Sequence, residues 1–383
     1  MPFPVTYLLD QSAPSETFIR RELDQLRCRN WPVYVRLLKG DESPLKNSLA
    51  SCPTGFRFRF FRAACARIAE ELLRSPYTAL RILMRLPQAA DLAKKVLETD
   101  SRLIHAHFAG ITADLTAIVA RALDLPWTCS VHAHDIFTAT PPSVFRRLRT
   151  VNGVAACSQR AANAVIGSGI PPDKVVLIHH GLPLNEFPFH CARPDEVIFS
   201  AGRLEDKKGF DTLIRACSLL RDRGVRFTCV IAGSGSLRRD LGQLTEKLGL
   251  EKSVMFVGWQ SQEEIRSHLA TASVLALPSR RTGSGDSDGI ANILVEALAL
   301  GTPLVTTTAG SAHEVIVDSV NGLLVPPDDP ARLADALATA LASTELRIRI
   351  AKEGRKTAED IFDASKNIQQ LEAFFAKAIT AAP

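Results

Sequence analysis

Short apolar runs alternate with amphipathic stretches along the first half of the chain. The runs "PVTYLL", "PVYVRLL" and "RLIHAHF" have the length and composition of buried strands. Between and after them, "SETFIRRELDQLRCR" and "ITADLTAIVARALDL" place apolar residues at helical spacing, and "WTCSVHAHDI" again has the pattern of a strand. Strands that alternate with helices predict a parallel sheet covered by helices.

The same rhythm restarts after residues 185–196, "NEFPFHCARPDE", a stretch rich in proline and polar residues that we interpret as a linker. The strands "EVIFSAG", "FTCVIAG", "SVMFVG", "VLALPS" and "PLVTTT" follow, separated by helices such as "IANILVEALALG". A chain of 383 residues is also too long for one ordinary core. We therefore predict an α/β protein of two tandem doubly wound Rossmann-like domains, residues 1–190 and 191–365.

Composition narrows the class of protein. Apolar residues make up 46% and charged residues 23%, and no apolar run reaches the ~18 residues of a membrane span. The N-terminus lacks the pattern of a signal peptide, and none of the eight cysteines forms a C-x-x-C pair. These features predict a cytoplasmic protein. Nothing in the pattern indicates binding to nucleic acid, and the P-loop motif is absent from the sequence.

Basic residues are concentrated between Gly55 and Gln88. Only Glu70 and Glu71 oppose seven arginines, at positions 57, 59, 62, 67, 74, 81 and 85. Phenylalanine and leucine are interleaved with them, so the segment predicts a helix that can lie on an anionic membrane surface. The alternative is a solvated arginine face on a helix whose other side packs inward.

Two cations lie in "SAGRLEDKKGFDTLI", between a predicted strand and a predicted helix. Arg203 and Lys208 flank the loop, and a helix N-terminus adds its unpaired N–H groups to their charge. A diphosphate would fit this arrangement. The alternative is a pair of surface cations balanced by Glu205 and Asp206.

A second loop, "DSDGIANILVEALAL", leads into an apolar helix. Gly289 allows close approach to the backbone, and the N–H groups near Gly289 and Ile290 would face an anion. Glu296 would lie ~8 Å further along the helix, where a carboxylate can bind a vicinal diol. Asp288 can accept hydrogen bonds from sugar hydroxyls. Because its neighbours are apolar, Glu296 would be buried and need a partner, so a buried salt bridge is the alternative.

Histidines recur as H-x-H in "IHAHFAG" and "VHAHDIF". Residues i and i+2 of a strand face the same side, so each pair could bind a metal, yet Asp135 is the one obvious further ligand. A neutral histidine that donates to a sugar hydroxyl is the competing interpretation, and a structural role is expected for His105 and His179. Gly233 and Gly235, in "IAGSGSLRRDL", are interpreted as turn residues lining a cleft.

The combination resembles the retaining nucleotide-sugar glycosyltransferases of family 4, which have the GT-B fold of two domains facing across a cleft. The motifs that carry the resemblance are "SAGRLEDKKGFDTLI", "CVIAGSGSLRRDL", "DGIANILVEALALGTPLV", "NGLLVPPDDP", "IHAHFAG", "VHAHDIF" and "VVLIHHGLPLNEF". The chain is similar to bacterial members that build exopolysaccharide or colanic-acid-type units. The resemblance also predicts that a helix at about 366–383 packs back on the N-terminal domain.

The resemblance assigns roles to the side chains of both loops. Arg203 and Lys208 would hold the diphosphate of a UDP- or GDP-sugar and stabilise the leaving group, so no metal or other cofactor is expected. Glu296 would bind the ribose, while Asp288 and His132 would lie at the donor sugar. The family usually has Glu at the position of Asp288, which leaves the sugar contact open.

Backbone groups complete the implied donor site. The N–H groups of Gly289 and Ile290 and the turn at Gly233 would line it, and the loop at Ser15 and Glu16 would close over the phosphates. That early loop, "DQSAPSETF", lacks the glycines of many members. The implied reaction transfers a hexose to a glycan or lipid-linked acceptor in exopolysaccharide or lipopolysaccharide synthesis. The alternatives are an epimerase or phosphorylase on the same fold, or a catalytically degenerate protein that binds nucleotide sugars.

Overall fold

The computed structural model describes residues 2–10, 17–38, 49–50, 52–190 and 196–380. The chain divides into two compact units, Met1–Gly181 with Ser365–Pro383, and Leu182–Ala364. Each unit is built on its own six-stranded parallel sheet with helices on its faces. The described chain therefore has the doubly wound α/β architecture that its hydrophobic pattern predicts.

The sheet of the first unit has the strand order β2-β1-β3-β4-β5-β6. Its strands are β1 (Val5–Leu9), β2 (Val33–Leu37), β3 (Leu103–His107), β4 (Trp127–Val131), β5 (Gly153–Ala156) and β6 (Val175–Leu177). Its helices are α1 (Thr17–Cys28), α2 (Thr54–Leu72), α3 (Pro76–Met84), α4 (Leu86–Glu98), α5 (Ile111–Leu123), α6 (Ala133–Phe137), α7 (Pro141–Leu148) and α8 (Gln159–Gly167).

The sheet of the second unit has the order β12-β11-β10-β7-β8-β9. Its strands are β7 (Val197–Ala201), β8 (Thr228–Ala232), β9 (Val254–Gly258), β10 (Val274–Leu277), β11 (Leu304–Thr307) and β12 (Leu323–Val325). Its helices are α9 (Phe210–Asp222), α10 (Arg238–Lys247), α11 (Gln262–Thr271), α12 (Asn292–Leu300), α13 (Pro330–Ala342) and α14 (Thr344–Ile361).

Burial explains why the strands are short runs of mainly apolar residues. Every residue of β1, β3 and β4 is buried, because helices cover both faces of the sheet. The last helix, α15 (Ala364–Thr380), belongs to the first unit. Its Phe374 and Phe375 are buried together with Tyr7 of β1 in one apolar cluster.

The division between the units falls at Gly181, earlier than the predicted boundary at residue 190. Leu182 and Phe187 are buried with strand and helix residues of the second unit. The N–H of Leu182 donates to the carbonyl of Phe362 at 2.6 Å, and the N–H of Ala364 donates to the carbonyl of Leu182 at 3.1 Å. The predicted linker therefore begins inside the second unit, and its residues 191–195 lie outside the described residues.

The pattern of "WTCSVHAHDI" misplaces one element boundary. Strand β4 ends at Val131, and α6 begins at Ala133, so His132 and His134 do not share a strand face. The side chain of Asp135 accepts the N–H of His132 at 2.8 Å and thereby starts this short helix. Among the described helices, none is both long and apolar enough to cross a membrane.

Candidate functional site

The loop after β7 carries the two predicted cations, and a glycine fixes its shape. Gly209 has φ +65° at the start of α9, and a Cβ at this position would overlap the carbonyl oxygen of Pro278. Only glycine lets the backbone approach the end of β10 so closely. The loop after β7 is therefore packed on the loop after β10, which brings Lys208 to Asp288.

Lys208 and Asp288 form an ion pair between these two loops. Lys208 Nζ lies 2.8 Å from Asp288 Oδ2, and the two side chains are 12% and 11% exposed. The hydroxyl of Ser279 donates to the same carboxylate oxygen at 2.7 Å. Burial alone would raise the pKa of Asp288, but Lys208 and the hydrogen bond from Ser279 outweigh it and hold that pKa below its usual value. The carboxylate is thus ionised at neutral pH.

Arg203 differs from Lys208 in its environment. Its side chain is 56% exposed and pairs with Glu205 at 3.0 Å. The predicted alternative of balanced surface cations therefore describes Arg203 and Glu205, whereas Asp206 pairs with Arg280 at 3.3 Å. Lys208 is therefore largely buried in its ion pair with Asp288, whereas Arg203 lies at the surface of the second unit.

The second predicted loop leads directly into α12. Gly289 and Ile290 precede Ala291, the residue before the first helical turn at Asn292. The first N–H groups of a helix have no partner within it, so this end is a place for an acceptor or an anion. Glu296 is buried in the same helix among Leu294, Val295 and Leu298, as its apolar neighbours predict.

Two glycines hold the backbone close beneath these loops. Gly233 has φ +139°, and a Cβ there would overlap the carbonyl oxygen of Gly202 at the end of β7. Gly310 has φ +67°, and a Cβ there would overlap the carbonyl oxygen of Asp288. The carboxyl ends of β7, β8 and β11 therefore converge on the residues that flank the ion pair, where open parallel sheets bind ligands.

Sequence reasoning missed a second set of charges beside the ion pair. Lys207 is buried and its Nζ lies 3.0 Å from Asp286 Oδ2. Arg280 contacts three carboxylates, those of Asp206, Asp211 and Asp328. Burial alone would lower the pKa of Arg280, but these aspartates raise it. The partners are far apart in sequence, so no local pattern could have revealed them.

The first unit gathers its histidines at the carboxyl edge of its sheet. His107 Nδ1 lies 3.2 Å from His132 Nε2, and His107 Nε2 lies 3.2 Å from Glu22 Oε1. The hydroxyl of Tyr7 donates to the same oxygen of Glu22 at 2.9 Å. His132, predicted to lie at the donor sugar, is therefore bonded through Nε2 to another histidine. Glu22 was missed, because in sequence it is one polar residue of an amphipathic helix.

Burial keeps the rings of His105, His132 and His180 neutral. It lowers the pKa of His132 well below the usual value, that of His105 to about 3 and that of His180 to about 4. Burial alone would raise the pKa of Glu22, but the neighbouring His107 outweighs it and lowers this pKa to about 2. At neutral pH Glu22 is therefore an ionised carboxylate, and His105, His132 and His180 are neutral.

His105 and His179 have the structural role that the sequence predicts. The ring nitrogens of His105 bond to Thr128 Oγ1 at 2.8 Å and to Ser130 Oγ at 3.0 Å. His179 Nδ1 lies 3.0 Å from the carbonyl oxygen of Cys157. Ser15 and Glu16, predicted to close over phosphates, lie outside the described residues.

Within the described part of the chain, two groups of side chains come close enough together to be considered as metal ligands. They are Glu22 with His105 and His107, and His132 with Cys157 and His180. In the first group, hydrogen bonds already occupy both nitrogens of His105 and both nitrogens of His107. In the second, Nε2 of His132 faces His107. Binding an ion at either place would require these hydrogen bonds to break.

Two Rossmann-like domains, each a parallel sheet whose loops gather at the carboxyl ends of its strands, are the architecture of the GT-B fold. The sequence model "Glycosyltransferase Family 4" matches residues 15–186, and the model "Glycosyl transferases group 1" matches residues 186–357. Together they span nearly the whole chain. The chain belongs to the glycosyltransferases of family 4.

Relatives of the chain include two bacterial glycosyltransferases. WcaL of Salmonella typhimurium, named for colanic acid biosynthesis, is 29% identical over 276 residues, which cover 69% of this chain and 68% of WcaL. The amylovoran biosynthesis glycosyltransferase AmsK of Erwinia amylovora is 28% identical over 268 residues, 68% of this chain and 66% of AmsK. About a third of each relative thus lies outside the match.

A solved structure shows the same fold. HepE from Anabaena, in complex with UDP-glucose, superimposes with a TM-score of 0.73 at 19% identity and covers 98% of this chain and 99% of that one. At this identity the likeness concerns the fold alone. It agrees with the two six-stranded parallel sheets described above.

Proposed function

We propose that this protein is a retaining glycosyltransferase that moves a hexose from a UDP- or GDP-sugar to a glycan or lipid-linked acceptor. The reaction would belong to bacterial exopolysaccharide or lipopolysaccharide synthesis, in the cytoplasm. The names of WcaL and AmsK support the type of product, and the UDP-glucose bound by HepE supports a nucleotide-sugar donor. No described feature favours an epimerase, a phosphorylase or a degenerate binding protein.

One observation carries this proposal: the 2.8 Å contact between Lys208 Nζ and Asp288 Oδ2. This contact places the Lys208 ammonium, which we propose binds a diphosphate, beside Asp288. Asp288 is followed directly by Gly289 and then by the start of α12. An ammonium and free backbone N–H groups beside one another suit a diphosphate. A carboxylate at the same point can accept from the hydroxyls of the attached sugar.

The charges of this cluster fit the chemistry of transfer. Breaking the anomeric C–O bond places negative charge on the departing diphosphate, and the Lys208 ammonium would stabilise it without a metal ion. Arg203, exposed at the rim, would reach the same diphosphate by exchanging Glu205 for phosphate oxygens. Glu296, deeper in α12, would take the ribose hydroxyls. Asp288, released in part from Lys208, would bind the sugar.

Donor screening tests the proposal directly. Thermal stability would be measured with UDP-, GDP- and ADP-sugars, and turnover would follow with the sugar nucleotide that stabilises most. We expect one base to be preferred, the product anomer seen by NMR to match the donor, and a chelator to leave the rate unchanged. No stabilisation by any sugar nucleotide would contradict the proposal.

We also propose that the first unit docks on an anionic membrane through α2 and α3. Large apolar side chains are exposed there, with Phe58 71%, Leu73 92% and Tyr77 70% exposed. Others in the same two helices and their junction are Phe61, Leu72, Leu80, Leu83 and Met84. Tyr77, Leu80 and Met84 are three or four residues apart and so lie on one face of α3. In α2, Phe58 lies three residues before Phe61, and Leu72 follows about three turns further along the same side. Exposed apolar side chains in such a number favour a bilayer over solvent.

The acidic residues of this region are neutralised within the unit. Glu71 is buried between Arg67 at 2.7 Å and Arg146 at 2.8 Å, and Glu70 pairs with Arg149 at 2.7 Å. Arg67 is also buried, so it contributes to the interior and not to the basic surface that the sequence predicts. The exposed arginines, among them Arg59 and Arg62, are left to attract anionic lipid.

Vesicle co-sedimentation can measure separately how much the basic residues and the exposed apolar side chains contribute to membrane binding. The intact protein should bind phosphatidylcholine vesicles with roughly a third phosphatidylglycerol and should be released by salt. The double variant Arg59→Glu/Arg62→Glu should lower binding by at least roughly tenfold, because each basic residue contributes about 1 kcal/mol. Phe58→Ser/Leu73→Ser should also lower it.

The matched control is Lys352→Glu/Lys356→Glu, which makes the same change of charge on exposed positions of α14. This control should bind vesicles like the intact protein. Absence of binding by the intact protein, or an equal loss in the control, would contradict the docking proposal.

A further inference from the structure

A buried chain of hydrogen bonds connects helix α1 to the start of helix α6. It runs from Glu22 Oε1 to His107 Nε2 at 3.2 Å and from His107 Nδ1 to His132 Nε2 at 3.2 Å. At its far end the backbone N–H of Asp135 donates to the ring of His132. Three elements distant in sequence are thus joined through two imidazoles.

The chemistry of the two ends fixes the direction of every bond. An ionised carboxylate only accepts, so His107 must donate from Nε2. The Asp135 N–H only donates, and Nε2 of His132 faces His107, so Nδ1 of His132 must be the acceptor. A neutral imidazole has one N–H, which His132 then donates from Nε2 to His107. The hydrogen bonds at both ends of the chain therefore require the Nε2–H tautomer in His107 and in His132.

Packing holds the ring of His132 in place. Its centroid lies 4.5 Å from that of Phe108 and 4.9 Å from that of Phe18, and it stacks on His180 at 5.2 Å. The low pKa that burial gives His132, and the ionised state of Glu22, agree with a neutral His132 ring and an accepting carboxylate at the other end. An imidazole confined in this way cannot flip without breaking the chain.

We propose that Glu22 and His107 are positioning residues that hold His132 as the neutral Nε2–H tautomer, with its N–H directed into the unit. His132 then has no N–H to offer a sugar hydroxyl while the chain is intact, which revises the role expected from the sequence. The ring contributes a fixed shape at the carboxyl edge of the first sheet. Only the effect on transfer rests on the proposed function, since the tautomer is a property of the unit itself.

Tautomers can be measured by long-range ¹H–¹⁵N NMR on protein labelled in its histidine rings, with His107→Gln and His132→Gln used to assign signals. In the intact protein both rings should be Nε2–H tautomers. Glu22→Gln keeps an acceptor oxygen and should preserve them. Glu22→Leu removes it and should give mixed tautomers at His107 and His132. An Nδ1–H tautomer of His132 in the intact protein, or no change in Glu22→Leu, would overturn the proposal.

Should Glu22→Leu fail to fold, His107→Gln interrupts the chain at its middle and should also shift the tautomer of His132. The turnover of Glu22→Leu should fall roughly tenfold to a hundredfold, since it loses the orientation of a site residue, while Glu22→Gln stays near the intact protein. Altered tautomers with unaltered turnover would overturn the positioning role. Correct tautomers in a protein without transferase activity would instead contradict the proposed function alone.

Discussion

Lys208 and Asp288 are 80 residues apart in sequence, yet their charged atoms lie 2.8 Å apart in the structure. The two residues were expected to serve different parts of one ligand, the diphosphate and the sugar. Their direct contact means that each is the other's partner. Under the proposed function, a nucleotide sugar would share or replace this ion pair, and the variants below measure how.

Lys208→Ala should abolish transfer while the protein remains folded. We expect less than about a tenth of the original kcat/KM, because the leaving diphosphate loses its buried cation. The matched control is Lys207→Ala, which breaks the neighbouring ion pair with Asp286 and should cost about 1–3 kcal/mol of stability without a comparable loss of kcat. Retention of activity in Lys208→Ala would show that Lys208 does not hold the diphosphate.

Asp288→Asn should strengthen the binding of free UDP or GDP and slow transfer. The substitution removes the carboxylate that competes for Lys208, and we expect a roughly fivefold lower Kd for the diphosphate, about 1 kcal/mol. Transfer should slow because the amide is a weaker acceptor for sugar hydroxyls. Calorimetric titration gives the Kd, and weaker binding of the diphosphate in Asp288→Asn would refute the competition. Asp288→Glu is the comparison that keeps the charge.

We expect acid to destabilise the first unit at pH values well above those at which carboxylates usually titrate. His105, His132 and His180 have lowered pKa values in the folded state, so below about 6.5 the unfolded chain binds protons that the folded chain does not. Stability therefore falls as the pH drops. Burial raises the pKa of Asp135 to about 7, which acts in the opposite sense and offsets one histidine.

The net slope should be up to about 3 kcal/mol per pH unit between pH 6 and 5, measured by denaturant unfolding. His180→Gln should reduce this slope, whereas His313→Gln, at an exposed position, should leave it unchanged. Glu22 adds a further loss at lower pH, between its ordinary value and about 2. Equal slopes in His180→Gln and the unmodified protein would show that burial does not keep His180 neutral.

Gly233→Ala should unfold the second unit more readily than Gly224→Ala. Both glycines have positive φ, but a Cβ at Gly233 overlaps the backbone of Gly202, while nothing lies within 4 Å of a Cβ at Gly224. Gly224→Ala should cost only the conformational strain, about 1 kcal/mol, and Gly233→Ala at least about 2 kcal/mol. Similar unfolding free energies would mean that the backbone at Gly202 moves aside.

The hydrophobic pattern predicted the fold because both sheets are buried on their two faces. Strands such as β5 and β10 are therefore unbroken apolar runs with a length that helices do not have. The pattern failed at His132, where a strand ends and a short helix starts with no change in composition. A side chain of Asp135 that accepts backbone N–H groups decides that boundary, and it is visible only in three dimensions.

The sequence was sufficient to predict several residues of the candidate site, but not which of them contact one another. Lys208, Asp288 and Glu296 stand out because charges at strand ends or inside apolar helices need a reason. The partner of each charged residue depends on tertiary packing. Lys208 meets Asp288 because two loops 80 residues apart in sequence pack together. Glu22 meets His107 because helix α1 packs on the sheet. Sequence spacing carries no information about such contacts.

The return of α15 to the first unit sets the order in which a ribosome can complete the molecule. Phe374 and Phe375 fill the same apolar cluster as Tyr7, so the sheet translated first waits for residues 364–380 to emerge before its interior closes. The second unit, contiguous in the chain, can mature during that interval. Until then part of the apolar cluster of the nascent first unit stays exposed to solvent.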